Sequence, residues 1–140
     1  MAQWRRLALA TFPDRARSLG RAFTIYDLLA DLRADLEAAY KKPDPTAIDR
    51  IWSFVAWCFE PKRNKSVRNA AAVAFYEHLP LFGPARRDMP SRLSTATFRE
   101  LLPAFRVTLE DAEYDQFVAE FLAAKGEPAP KRRPRRKGAA

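Results

Sequence analysis

Residues 45–59, PTAIDRIWSFVAWCF, limit the fold more than any other stretch of the chain. Ile48, Ile51, Trp52, Val55 and Phe59 recur at spacings of three and four, which makes a helical stripe. Phe54, Ala56, Trp57 and Cys58 carry the apolar surface around most of the circumference. A helix apolar on most faces has to be packed on several sides, so the rest of the chain must surround it. Asp44 and Pro45 suit its start, because an aspartate accepts from free N–H groups and proline fits the first turn. Glu60-Pro61 ends it. A short polar linker then leads to an expected second helix, Val67 to Leu79, with Ser66 as its cap. Two helices joined so briefly are expected to fold back as neighbours, making 51–79 a central hairpin.

The flanking segments repeat the helical signal. Thr24-x-x-Asp27 resembles a capping box, and Ile25, Leu28, Leu29, Leu32 and Leu36 follow on one face. An N-terminal helix is expected over Gln3 to Phe12, followed by an Arg-rich loop. Residues 80–94 hold three prolines and a glycine, which predicts an ordered crossover rather than an element. Ser94 or Thr95 is expected to cap a short helix reaching Leu102. Thr108 is expected to cap a last helix that Gly126 stops. No segment shows the sustained two-residue alternation of a strand. The expected class is all-α, a compact bundle or short solenoid-like stack of about five to six helices. It would comprise residues 1–126 as a single domain and 127–140 as a disordered Lys/Arg/Pro-rich tail.

Charge matters here by location. The chain of 140 residues has a net charge of +8, but KRRPRRK places six basic residues within the last ten positions. The body is only mildly basic. The tail residues Lys131, Arg132, Arg133, Arg135, Arg136 and Lys137 are therefore the candidate nucleic-acid contacts, acting on phosphates without sequence preference. No aromatic residue is interleaved among them for base stacking. One cysteine rules out an intramolecular disulfide and favours a reducing compartment. The early run LALA is too short for a secretory signal, and no apolar stretch is long enough to span a membrane, so a cytoplasmic protein is expected.

Chemistry-bearing motifs are sparse. Zinc would need more donors than Cys58 and His78 supply, and Glu77 and His78, adjacent on a helix, project about 100° apart. No metal and no cofactor is expected. The four glycines form no phosphate-cradling loop. Cys58 and His78 would lie toward opposite ends of the hairpin, which opposes nucleophile–base pairing, and Cys58 reads as a small buried hydrophobe. His78 reads as a core-edge imidazole satisfied by a carbonyl or glutamate, as an imidazolium at a helix C-terminus, or as a ligand. Tyr76 and Glu77 lie on different helix faces, so at least one is expected to be exposed. Asp27, Asp31 and Asp35, at spacing four, form either a solvated face or a docking face for a basic partner. These six, Tyr76, Glu77, His78, Asp27, Asp31 and Asp35, are the candidate protein-binding residues.

Arg50-Ile51-Trp52 to Trp57-Cys58-Phe59, then Val67-Arg68-Asn69-Ala70 and Val73-Ala74-Phe75-Tyr76-Glu77-His78-Leu79, carry a resemblance. This stretch resembles a family of small uncharacterised bacterial helical proteins, in which a helix ending in Trp-Cys precedes one ending in Phe-Tyr-Glu-His-Leu. The likeness covers roughly residues 24–82 and implies no activity. The family's size and acid-rich helices are similar to those of bacterial immunity proteins, which bind and mask a toxin. The expectation is thus a non-enzymatic helical module that binds another protein, with a nucleic-acid-associated protein using its basic tail as the alternative.

Overall fold

A computed structural model of the chain describes residues 1–17, 19 and 23–128, and every regular element among them is helical. The α-helices are α1 (Gln3–Thr11), α2 (Ile25–Lys41), α3 (Pro45–Phe59), α4 (Lys65–Ala70), α5 (Gly83–Arg92), α6 (Thr95–Glu100), α7 (Leu102–Thr108) and α8 (Asp111–Ala124). Between α4 and α5 the chain passes through a π-helical segment, Ala71–Phe75, and a 3-10 segment, Tyr76–Leu81.

The two long helices start as their sequences dictate. At α2 the Asp27 N–H donates to the Thr24 hydroxyl at 3.1 Å, and the Thr24 N–H donates back to the Asp27 carboxylate at 2.9 Å. Leu28, Leu29, Leu32 and Leu36 are fully buried along its inner face. This helix packs against α3, α4, the π segment and α5. At α3 the Ala47 N–H donates to Asp44 at 3.1 Å, with Pro45 in the first turn. As its apolar circumference demands, α3 has neighbours on several sides: α1, α2, α4 and the π segment.

A polar network ties α2, α3 and α5 together. The Trp52 indole N–H donates to the Tyr40 hydroxyl at 2.8 Å, and that hydroxyl donates to Asp88 at 2.6 Å. Arg92 then joins Asp88 at 3.0 Å to Asp49 on α3 at 2.7 Å. The Trp52 indole and the Tyr40 hydroxyl thus both have partners, which offsets the cost of desolvating them.

Several expectations are corrected. Residues 80–94 are mostly a helix, not a crossover: Pro84 lies in the first turn of α5, where its missing N–H costs nothing, and Pro90 falls near the end. Ala85 and Met89, four apart and fully buried, anchor α5 to the core. The helix expected over 67–79 is instead α4, the π segment and the 3-10 segment. Asn64 caps α4, accepting from the Val67 N–H at 2.9 Å, and Ser66 does not. Chain after the capped start at Ser94 breaks at Leu101 and resumes as α7, with Pro103 in its first turn. The added α5 and α7 account for a helix count above five to six.

Phe98 of α6, Phe105 of α7 and Phe117 and Phe121 of α8 form one aromatic cluster. Phe98 and Phe121 stack at 3.7 Å, while Phe105 and Phe117 meet edge to face at 5.0 Å. Thr108 does not cap α8, which begins at Asp111 after Glu110. Gly126 does stop it, at φ 74°: its N–H reaches the Ala123 carbonyl at 3.0 Å, and the Glu127 N–H reaches Leu122 at 2.8 Å. Glu127 also pairs with Arg99 at 3.0 Å. The expected tail from 129 onward lies outside the described residues.

Candidate functional site

The π segment is where the hairpin departs from a regular helix. A π turn takes an extra residue, so side chains after it emerge on faces that a continuous α-helix would not give them. Consequently Tyr76 and Glu77 are both buried, at 0% and 8% exposure, against the expectation that at least one faces solvent. Tyr76 is core: its ring meets Phe59 at 5.7 Å and Phe75 at 5.4 Å, both edge to face. Its hydroxyl has no hydrogen-bond partner, and burial pushes its pKa up. A fully enclosed phenol cannot present itself to a partner, so Tyr76 leaves the set of binding candidates. Cys58 is buried too, and burial pushes its thiol up to about 12.

Beside Glu77 lies an open groove of about 600 Å³. Ala72 and Val73 of the π segment, with Phe59 at the end of α3, form one wall. Pro103, Ala104 and Val107 of α7 form the other. Leu101 and Glu77, both nearly buried, make the floor. Val107 is 71% exposed and Val73 41%, although the packed residues of these segments, such as Phe105 and Phe75, are fully buried. Both valines line the same groove and leave apolar surface exposed in it.

The groove's charges are arranged unequally. Arg68 donates to Glu100 at 2.8 Å and to the Phe59 carbonyl at 3.1 Å, with its guanidinium 4.6 Å from the Phe59 ring centre. Arg63 pairs with Glu60 at 2.8 Å, bonds the Trp57 carbonyl at 3.1 Å and lies over the Trp57 ring at 3.8 Å. These cations are held in place and stiffen the rim. Glu77 is held only by its backbone, whose carbonyl accepts from the Thr108 hydroxyl at 2.7 Å. Among the described residues its carboxylate has no hydrogen bond and no ion pair.

The remaining candidates are dispersed. His78 is half-buried and does not line the groove. Its pKa is lowered by burial first and by the nearby Arg33 second, with Glu77 opposing, which disfavours an imidazolium at a helix end. Asp27 is engaged with Thr24, and Asp31 and Asp35 both pair with Arg15. The aspartate stripe is therefore not a row of unpartnered acids: Arg15, from the turn after α1, covers two of the three. Lys131, Arg132, Arg133, Arg135, Arg136 and Lys137 lie outside the described residues. No group of three His, Cys, Asp or Glu among the described residues could hold a metal ion. No described helix is long and apolar enough to cross a membrane.

Sequence reasoning names Glu77 as a candidate but does not show the groove it lines. Its walls come from segments about 30 residues apart, and nothing local announces that they face each other. The available signal was an apolar residue off the packing face: Val107 beside Phe105 and Leu109, and Val73 beside Ala71 and Phe75.

Compared with known proteins, the chain matches no family model, no curated protein and no solved structure. Of the resemblance drawn from the Trp-Cys and Phe-Tyr-Glu-His-Leu stretches, the all-helical architecture is what the fold shares.

Proposed function

We propose that this protein is a non-enzymatic helical module that binds another protein through the groove between the π segment and α7. The observation that carries this reading is the pair Val73 and Val107, exposed apolar residues lining one open groove. Burying such surface yields about 25 cal/mol per Å², which the folded chain alone does not collect. Ordered walls reduce the conformational entropy lost when a partner docks. A toxin-neutralising role of the immunity type is the specific form that the resemblance to small bacterial helical proteins suggests, with a cytoplasmic site of action.

The test is co-purification from the native host. The wild-type chain, Val107→Asp and Leu81→Asp are compared, Leu81 being exposed but away from the groove. One protein retained by wild type and Leu81→Asp but lost by Val107→Asp supports the reading. If nothing is retained, or all three retain the same set, it fails. For the immunity form, the gene should lie beside a toxin gene and protect against its product.

A second reading rests on the six basic residues within 131–137. On it, the tail associates with nucleic acid through phosphates, and binding weakens steeply with salt. Replacing those six residues with alanine would abolish DNA binding on this reading. Unchanged binding would dismiss it.

A further inference from the structure

We infer that Glu77 is the anchor of the groove and that it receives an arginine side chain from the docking partner. This rests on the protein-binding reading above and names the chemistry of what binds.

Glu77 is more than nine-tenths buried, yet its carboxylate has no hydrogen bond and no ion pair among the described residues. With no protein donor, the carboxylate is left to water, which a docking cation can replace. Three cations line the same groove, and none pairs with Glu77: Arg68 is committed to Glu100 and the Phe59 carbonyl, Arg63 to Glu60 and the Trp57 carbonyl, and Lys65 is exposed to solvent. Neither carboxylate oxygen is sealed off, so the group opens into the groove it lines. The Thr108 bond to the Glu77 carbonyl fixes the backbone that presents it.

The complementary occupant is a cation on an apolar stem. Arginine fits better than lysine for two reasons. Its planar fork matches both carboxylate oxygens, and its guanidinium is more weakly hydrated, so it gives up water more readily in a recess walled by Val73, Ala104 and Val107. The partner is then a peptide segment with an arginine flanked by apolar residues that cover the two valines.

The experiment selects binders from a random 12-residue peptide display library against the full chain. Binding of the selected peptides is then measured to wild type, Val107→Asp and Glu77→Gln, with each variant's fold checked by circular dichroism. Expected are peptides enriched in arginine between apolar residues. Replacing that arginine with citrulline, its uncharged isostere, weakens binding to wild type at least about tenfold, as for a lost charge-assisted hydrogen bond. The same replacement has little effect on binding to Glu77→Gln. Peptides that lose binding to Val107→Asp but carry no arginine preference, or bind Glu77→Gln equally well, overturn the arginine anchor and leave the groove standing. Peptides indifferent to Val107→Asp overturn both. Self-association abolished by Val107→Asp, with citrulline without effect, would make a second copy the occupant and also overturn the inference.

Discussion

Thr108 and Glu77 are joined beside the groove: the Thr108 hydroxyl donates to the main-chain carbonyl of Glu77 at 2.7 Å. They lie 31 residues apart, one at the end of α7 and the other in the 3-10 segment. The bond is one link between α7 and the 3-10 segment, which also pack directly against each other. A partly buried hydroxyl-to-carbonyl bond contributes about 1 kcal/mol. Thr108→Val keeps the shape and removes the donor, so urea denaturation should show a loss of about 1 kcal/mol. Thr108→Ser should retain most of the stability. A loss confined to Thr108→Ser would show that the methyl group, not the hydroxyl, is what matters.

The Tyr40 hydroxyl serves two partners, accepting from Trp52 and donating to Asp88. Tyr40→Phe strands both. The expected cost is about 1–3 kcal/mol, larger than for an isolated hydrogen bond, because two polar groups lose their partner. A double-mutant cycle with Asp88→Asn should show strong coupling. Additive effects would mean that the network is a set of independent contacts.

Acid should destabilise the fold in two stages. Burial first, then Arg33, lowers the His78 pKa below its ordinary 6.5. The unfolded chain therefore takes up the proton more readily. The stability this contributes is complete above pH 6.5 and is lost as pH falls through the lower folded value. Asp88 behaves in the same direction at lower pH. Burial raises its pKa, but hydrogen bonds from Tyr40, Ser91 and Arg92 outweigh that and leave it below 3.8. Its contribution is present above 3.8 and is lost below. His78→Gln should flatten the first stage and leave the second, as measured by urea midpoints across the pH range. A first stage that persists in His78→Gln would assign it to another group.

Cys58 is fully buried, and its thiol pKa is pushed up to about 12, so little thiolate exists at neutral pH. A thiol reagent should label the native protein only as fast as the chain opens. Labelling should accelerate in step with unfolding in urea. Rapid labelling without denaturant would show that the core around α3 opens locally.

How much was legible in the sequence follows from how local each signal is. The starts of α2 and α3 lay in Thr24, Asp27, Asp44 and Pro45, four residues whose roles depend only on their immediate neighbours. Burial of the α3 circumference could be read from composition, since nothing but a central position suits it. Prolines misled in α5, because the rule that proline breaks helices does not hold at Pro84, in a first turn. The π segment was hidden because Ala70 to Ala74 suit an α-helix locally. Its wider turn buried Tyr76 and left Glu77 at the groove. The aspartate stripe is visible in the spacing, but Arg15, which pairs with Asp31 and Asp35, comes from a distant turn. Long-range pairings of that kind leave no local trace.

A groove lined by Val73 and Val107 that binds a partner must lose that binding when its apolar surface is charged. Val107 is mostly exposed, so Val107→Asp should leave folding stability within about 0.5 kcal/mol of wild type. The direct measurement is the affinity of the purified partner for wild type, Val107→Asp and Leu81→Asp by calorimetry. The account predicts that Val107→Asp weakens binding at least about tenfold, about 1.4 kcal/mol, and that Leu81→Asp leaves it unchanged. Undiminished binding by Val107→Asp would contradict it.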